Sequence, residues 1–109
     1  MKKMIDFELF DGLLKVHNNL RDAGNNLVSV GFDINSRHVS NIFNEAEKII
    51  DLLNKNMGLE KSGGYTTIDW FIENQNSGDE DLHKITVDGK VFMIYSNADL
   101  YKFLTEVEL

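Results

Sequence analysis

The sequence predicts an α+β fold, and three observations carry that prediction. Apolar residues recur at three- and four-residue steps through the first half of the chain. The period then drops to two on either side of Asp88-Gly89, the signature of a tight hairpin. A short amphipathic stretch that opens on Ser96 closes the chain as a last helix. The expected order is two N-terminal amphipathic helices, a short helix, a small antiparallel β-hairpin or sheet and a C-terminal helix. The 109 residues and 42% hydrophobic content fit one domain over 1–109, with a helical half (1–61) and an acidic α/β half (65–109).

The first helix is expected to start at Asp6, whose carboxylate can cap it, and to bury Phe7, Phe10, Leu13, Leu14, His17 and Leu20. Gly24 with Asn25 and Asn26 is a plausible stop. The same face also continues to Gly31, and "LVSV" reads equally as a strand, so 24–34 stays open between helix and strand. Ser36 is the expected cap of a second helix with Val39, Ile42, Phe43, Ala46, Ile49, Ile50, Leu53 and Met57 in one stripe and Gly58 at its end. "EKSGGYTT" reads as a linker. Its Gly pair lacks the Lys and Ser or Thr of a phosphate loop.

Thr67 is expected to cap the short helix, with Ile68, Phe71 and Ile72 inward and Trp70 off the stripe. In "KITVDGKVFMIY" a two-residue turn sets Val87 opposite Lys90, Ile85 opposite Phe92 and His83 opposite Ile94. Ile85, Val87, Phe92 and Ile94 then share the core face. Ser96 and Asp99 form a capping box for a helix that turns Leu100, Phe103, Leu104 and Val107 inward. The expected core comprises Leu13, Leu20, Ile42, Phe43, Ile49, Leu53, Phe71, Phe92, Leu100 and Phe103.

Charge and composition exclude several functions. Net charge is −7, and residues 63–109 hold nine acids against Lys84, Lys90 and Lys102. Direct binding to nucleic acid is not expected, because it rests on Lys and Arg neutralising phosphates. No apolar run is long enough to span a membrane. "MKKMIDFELFDG" is broken by Asp6, Glu8 and Asp11 and lacks a secretory profile, so the expected location is the cytoplasm. Without Cys there is no disulfide or thiolate site, and His17, His38 and His83 are too far apart to form a local metal motif. A calcium loop starting at Glu73 fails because Lys84 stands where a bidentate Glu belongs. No nucleophile elbow or supported carboxylate pair occurs. The expectation is therefore a non-enzyme without metal or cofactor.

At "IDWFIEN…DGKVFMIYSNADLYKFL" the chain resembles a loose group of small bacteriophage and prophage proteins of low-GC bacteria. The matching positions are Asp69, Trp70, Phe71 and Glu73, then Ser96, Asp99, Leu100, Tyr101, Phe103 and Leu104. The group has no assigned activity, so the resemblance implies a mobile-element origin rather than a mechanism. In size and acidity the chain also resembles phage inhibitors of host defence, the anti-CRISPR and anti-restriction proteins. The expected function is non-catalytic inhibition of a basic nucleic-acid-binding protein or nuclease through an acidic surface. The expected contact residues are Asp69, Trp70, Glu73, Asp79, Glu80, Asp81 and Tyr95. An immunity protein against a nuclease toxin and a phage assembly component are the alternatives. The expected state is a monomer or weak homodimer.

Overall fold

The computed structural model describes residues 5–59 and 65–108. It is α+β: four α-helices and one two-stranded antiparallel sheet among the described residues. The expected linker at Ser62, Gly63 and Gly64 lies outside them. The chain forms two compact units, Met1–Gly58 and Leu59–Leu109.

The first unit is an antiparallel helix pair. Helix α1 spans Phe7–Ser29, and Asp6 caps it by accepting from the Leu9 N–H at 2.9 Å. The helix passes straight through Gly24, which resolves the open reading of residues 24–29 as helix. Gly24 faces the ring of Phe43, and a Cβ there would lie 2.8 Å from the nearest ring carbon. The glycine therefore marks a close approach of two helices, not a stop. The chain turns at Gly31, whose φ of +114° suits a residue without a side chain. Helix α2 spans Arg37–Asn56 and starts from the expected Ser36 cap. Gly58, at φ +70°, donates to the Lys55 carbonyl and ends it.

The buried line of this pair is the inner part of the expected stripes. Phe10, Leu14 and His17 on α1 and Val39, Ala46, Ile50 and Leu53 on α2 are buried. Leu13, Leu20, Ile42, Phe43 and Ile49 are only half-buried, and Phe7 is exposed. The apolar stripes are wider than the seam along which they are buried, so their flanks are left partly in water.

The second unit is built from short, heavily capped pieces. Helix α3 spans Thr67–Asn74 and is capped by Thr66, not Thr67. Thr66 Oγ1 accepts from the Asp69 N–H and the Thr66 N–H donates to Asp69 Oδ2, both at 3.2 Å. Asp three residues on makes Thr66 the better cap, because only from there can both bonds close. Ile68, Phe71 and Ile72 are buried as expected.

A 3₁₀ turn at Glu80–His83 leads into β1 (Lys84–Val87) and β2 (Lys90–Met93). Asp88 and Gly89 both have positive φ, 51° and 81°, the I′ geometry that a two-residue hairpin favours. The register is the expected one, and Ile94 N–H donates to the His83 carbonyl at 2.8 Å beyond it. Helix α4 (Asn97–Phe103) starts at the Ser96–Asp99 capping box and ends in a π-type turn, Leu104–Glu108. The Phe92 ring meets Phe103 edge-on at 5.3 Å, so α4 packs on the predicted core face of the hairpin, where Ile94 is buried but Ile85, Val87 and Phe92, the last expected in the core, are only half-buried. That cover is needed, because an isolated hairpin is marginal in water. Val107, expected inward, is exposed: the wider π turn rotates it off the Leu100–Phe103–Leu104 line.

Candidate functional site

The acidic stretch after Trp70 is a folded turn rather than a loose loop. Its carboxylates and hydroxyls fold back onto the backbone. Ser77 N–H donates to the Asn74 carbonyl at 3.0 Å, and Asp79 N–H donates to Ser77 Oγ at 3.1 Å. Asp79 in turn caps the 3₁₀ turn, accepting from Asp81 N–H at 3.0 Å. His83 closes the turn from below. It is buried, and its Nε2–H donates to the Ser77 carbonyl at 2.8 Å. The carbonyl can only accept, so the proton sits on Nε2.

On this base Asp79, Glu80 and Asp81 are all exposed. Among the described residues only Asp81 has a cationic neighbour, Lys84 at 3.2 Å, and that pair is too exposed to neutralise the patch. Tyr95 lies next to the turn: its ring stacks on His83 at 4.8 Å while 52% of the residue stays open. The structure thus brings Tyr95 and the three acids around one buried imidazole.

The three residues on α3 are placed differently. Asp69 was expected to face a partner, but it is half-buried and committed to the cap of α3. Its Oδ2 is engaged in that bond, as Oδ1 of Asp79 is in the cap of the 3₁₀ turn. Trp70 is half-buried and lines a shallow cleft of about 270 Å³ with Tyr65, Thr67 and Ile85. Glu73 is exposed and accepts from the Tyr65 hydroxyl at 2.6 Å. That bond, with the negative charge behind it, pushes the Tyr65 phenol up to about 12.

Sequence reasoning missed Tyr65 and His83. Tyr65 stood in an assumed linker, and its partner lies eight residues away. His83 was read only as a hairpin position, and its acceptor is a main-chain carbonyl that no side-chain pattern reveals. A second cleft, about 360 Å³, lies between β2 and α4, with Phe92, Phe103 and Val107 as its apolar part and Asp99, Lys102 and Glu106 as its charged part. Among the described residues no group of three or more His, Asp or Glu is placed to hold a metal ion. Among the same residues, no helix is long and apolar enough to cross a membrane.

Comparison with known proteins adds no relative: no protein-family model, curated protein or solved structure matches the chain.

Proposed function

We propose that this is a non-catalytic, phage-type protein that binds and inhibits a basic nucleic-acid-processing defence protein of its host, in the manner of anti-CRISPR and anti-restriction proteins. It would do so in the cytoplasm of that host. The observation that carries the reading is the exposed Asp79–Glu80–Asp81 turn held against Tyr95 by the buried His83. The acids attract a basic cleft from a distance, and the exposed aromatic ring supplies apolar contact area once the surfaces meet. Because the turn is bonded to its own backbone, little order must be imposed on binding. Trp70 and Glu73 would extend the contact along α3.

Charge reversal tests it. Asp79 must be kept, since it caps the turn, so the variant is Glu80→Lys with Asp81→Lys. In nuclease inhibition assays with purified CRISPR effectors and restriction endonucleases, the wild-type chain should inhibit at least one. The variant should fold normally and associate with that enzyme about tenfold more slowly at low salt. Added salt should remove most of the difference. Inhibition of none of them, or an unchanged association rate at low salt, would refute the proposal.

A further inference from the structure

The apolar flank of the helix pair has a pattern of its own. On α1, Leu9, Leu13, Val16, Leu20, Ala23, Leu27 and Val30 follow one another at steps of four, three, four, three, four and three. That is a 3.5-residue period sustained for three heptads, the repeat that keeps one seam turned towards a partner helix. It is not the line of α1 that is buried. Phe10, Leu14, His17 and Gly24 are buried, while Leu9 is 52%, Val16 44% and Val30 75% exposed, and Leu13, Leu20 and Leu27 are half-buried. Helix α2 continues the open strip. His17 lies beside Ala46, and Gly24 beside Phe43. With the helices antiparallel in that register, helical phase places half-buried Ile42 and Ile49 and exposed Leu52 on the same side as the α1 seam.

We infer that this face is the interface with a second copy of the chain, two helix pairs closing face to face into a four-helix bundle about a twofold axis. Three observations select that occupant. The first is area. The seam runs ~32 Å at the rise of an α-helix, and two helices side by side make the face ~20 Å wide, an outline of roughly 640 Å², at the lower end of the roughly 600–1,000 Å² that each partner of a stable interface buries.

The second is the margin. In paired helices the residues flanking the apolar seam choose the partner by charge. Here the outer flank of the seam carries the uncharged Gly12, Asn19 and Asn26, seven residues apart, with Glu8 in phase with Asn26 as its one acid. So sparse a charge neither selects a foreign helix nor strongly repels an identical one. On α2, Glu45 falls in the strip itself, at the step between Ile42 and Ile49, and its charge is paired with Lys48 at 3.0 Å.

The third is the distribution of charge. Residues 1–58 carry eight acids and seven bases, a net −1, whereas residues 59–109 carry ten acids and four bases, a net −6. Two copies of an acidic chain repel, and the interface that avoids this uses the nearly neutral helices on both sides. A twofold axis then satisfies each seam with its own copy.

Sedimentation equilibrium on the full chain tests this directly. At about 100 µM the mass should approach twice the 12.5 kDa chain, falling towards one chain on dilution. Raising the salt should leave the dimer intact or tighten it, since the contact is apolar and the repulsion is screened. Leu9→Glu with Val16→Glu should give a monomer at every concentration with unchanged helical circular dichroism. Asn25→Glu, on the opposite side of α1, should leave the dimer as it is. If the double variant loses helix, Leu52→Glu on α2 serves as the second disrupting variant and should also give a monomer. A wild-type chain that stays monomeric at about 200 µM overturns the inference, whether or not the face then binds lipid vesicles. So does a folded double variant that still dimerises. The residues changed here, Leu9, Val16 and Leu52, are not those of the acidic turn, so failure of this inference is distinguishable from failure of the proposed inhibition.

Discussion

The two units solve the problem of a small core in opposite ways. The first uses two helices of 23 and 20 residues and more apolar surface than the pair buries. The second, among its described residues, has no α-helix longer than eight residues and fixes each short piece by a local bond: Thr66 with Asp69, Asp79 with Asp81, His83 with Ser77, Ser96 with Asp99. Long helices gain stability by accumulating side-chain contacts along their length. Short ones cannot, so their orphan donors must be met by caps. The difference teaches where each unit is vulnerable: the first to loss of bulk, the second to loss of single hydrogen bonds.

Loss of bulk should give the largest effect. Leu14 is fully buried on α1, and Leu14→Ala should cost roughly 2–5 kcal/mol in denaturant unfolding followed by circular dichroism. An equal truncation on the exposed flank, Leu9→Ala, should cost far less in the same measurement at low protein concentration. Equal costs would erase the distinction between buried line and open seam. In the second unit, Thr66→Ala or Ser96→Ala should each cost about 1 kcal/mol, although Ser96→Ala removes no apolar group and Thr66→Ala only one methyl. Thr66→Ser, which keeps the oxygen, should restore most of the loss.

The comparison sharpens further with pH. His17 sits in the helix pair with Nδ1–H donating to the Ala46 carbonyl at 3.2 Å and Nε2 buried without a hydrogen-bond partner. Burial lowers its pKa from the ordinary 6.5, an effect that the Ala46 bond opposes, Arg21 reinforces and Glu47 opposes. The unfolded chain therefore binds this proton more readily than the folded one. The stabilisation from neutral His17 is full above pH 6.5 and is lost as pH falls from there towards the lower folded value. Thermal melts should show Tm declining across that interval, and His17→Leu should flatten the His17 share of the decline. An unchanged slope in that variant would mean the imidazole is not what responds. The smallest effect belongs to Lys84→Ala, which removes the exposed partner of Asp81 and should shift stability by under about 1 kcal/mol.

What the sequence revealed follows the range of the forces involved. The caps at Asp6, Ser36 and Ser96 were legible because each cap and the backbone N–H that donates to it lie within three residues. The hairpin register was legible because a two-residue turn leaves no choice. Thr66 was passed over for its neighbour although Thr66-x-x-Asp69 has the same form as Ser96-x-x-Asp99. Gly24 read as a stop because its reason, the Phe43 ring, lies 19 positions along the chain. The stripes on α1 and α2 were visible, but periodicity shows which residues could be covered, not which of them are. At the candidate site, the acids and Tyr95 could be picked out as types. That a buried imidazole joins them depended on a bond to a backbone carbonyl that carries no side-chain signature, whereas the hold on Asp69 was written in the overlooked Thr66-x-x-Asp69 box.

Trp70 and all three tyrosines, Tyr65, Tyr95 and Tyr101, fall in the second unit, while the first has only phenylalanine among its aromatics. Near-ultraviolet emission excited at the red edge therefore reports Trp70 and its half-buried cleft, and is blind to the helix pair. Far-ultraviolet ellipticity is weighted the other way, since α1 and α2 hold most of the helical residues. The untouched chain thus carries two optical channels, one for each half. If the two melting curves superimpose, the halves unfold as one cooperative system; if they separate, each has its own transition. No label or substitution is needed to read the answer.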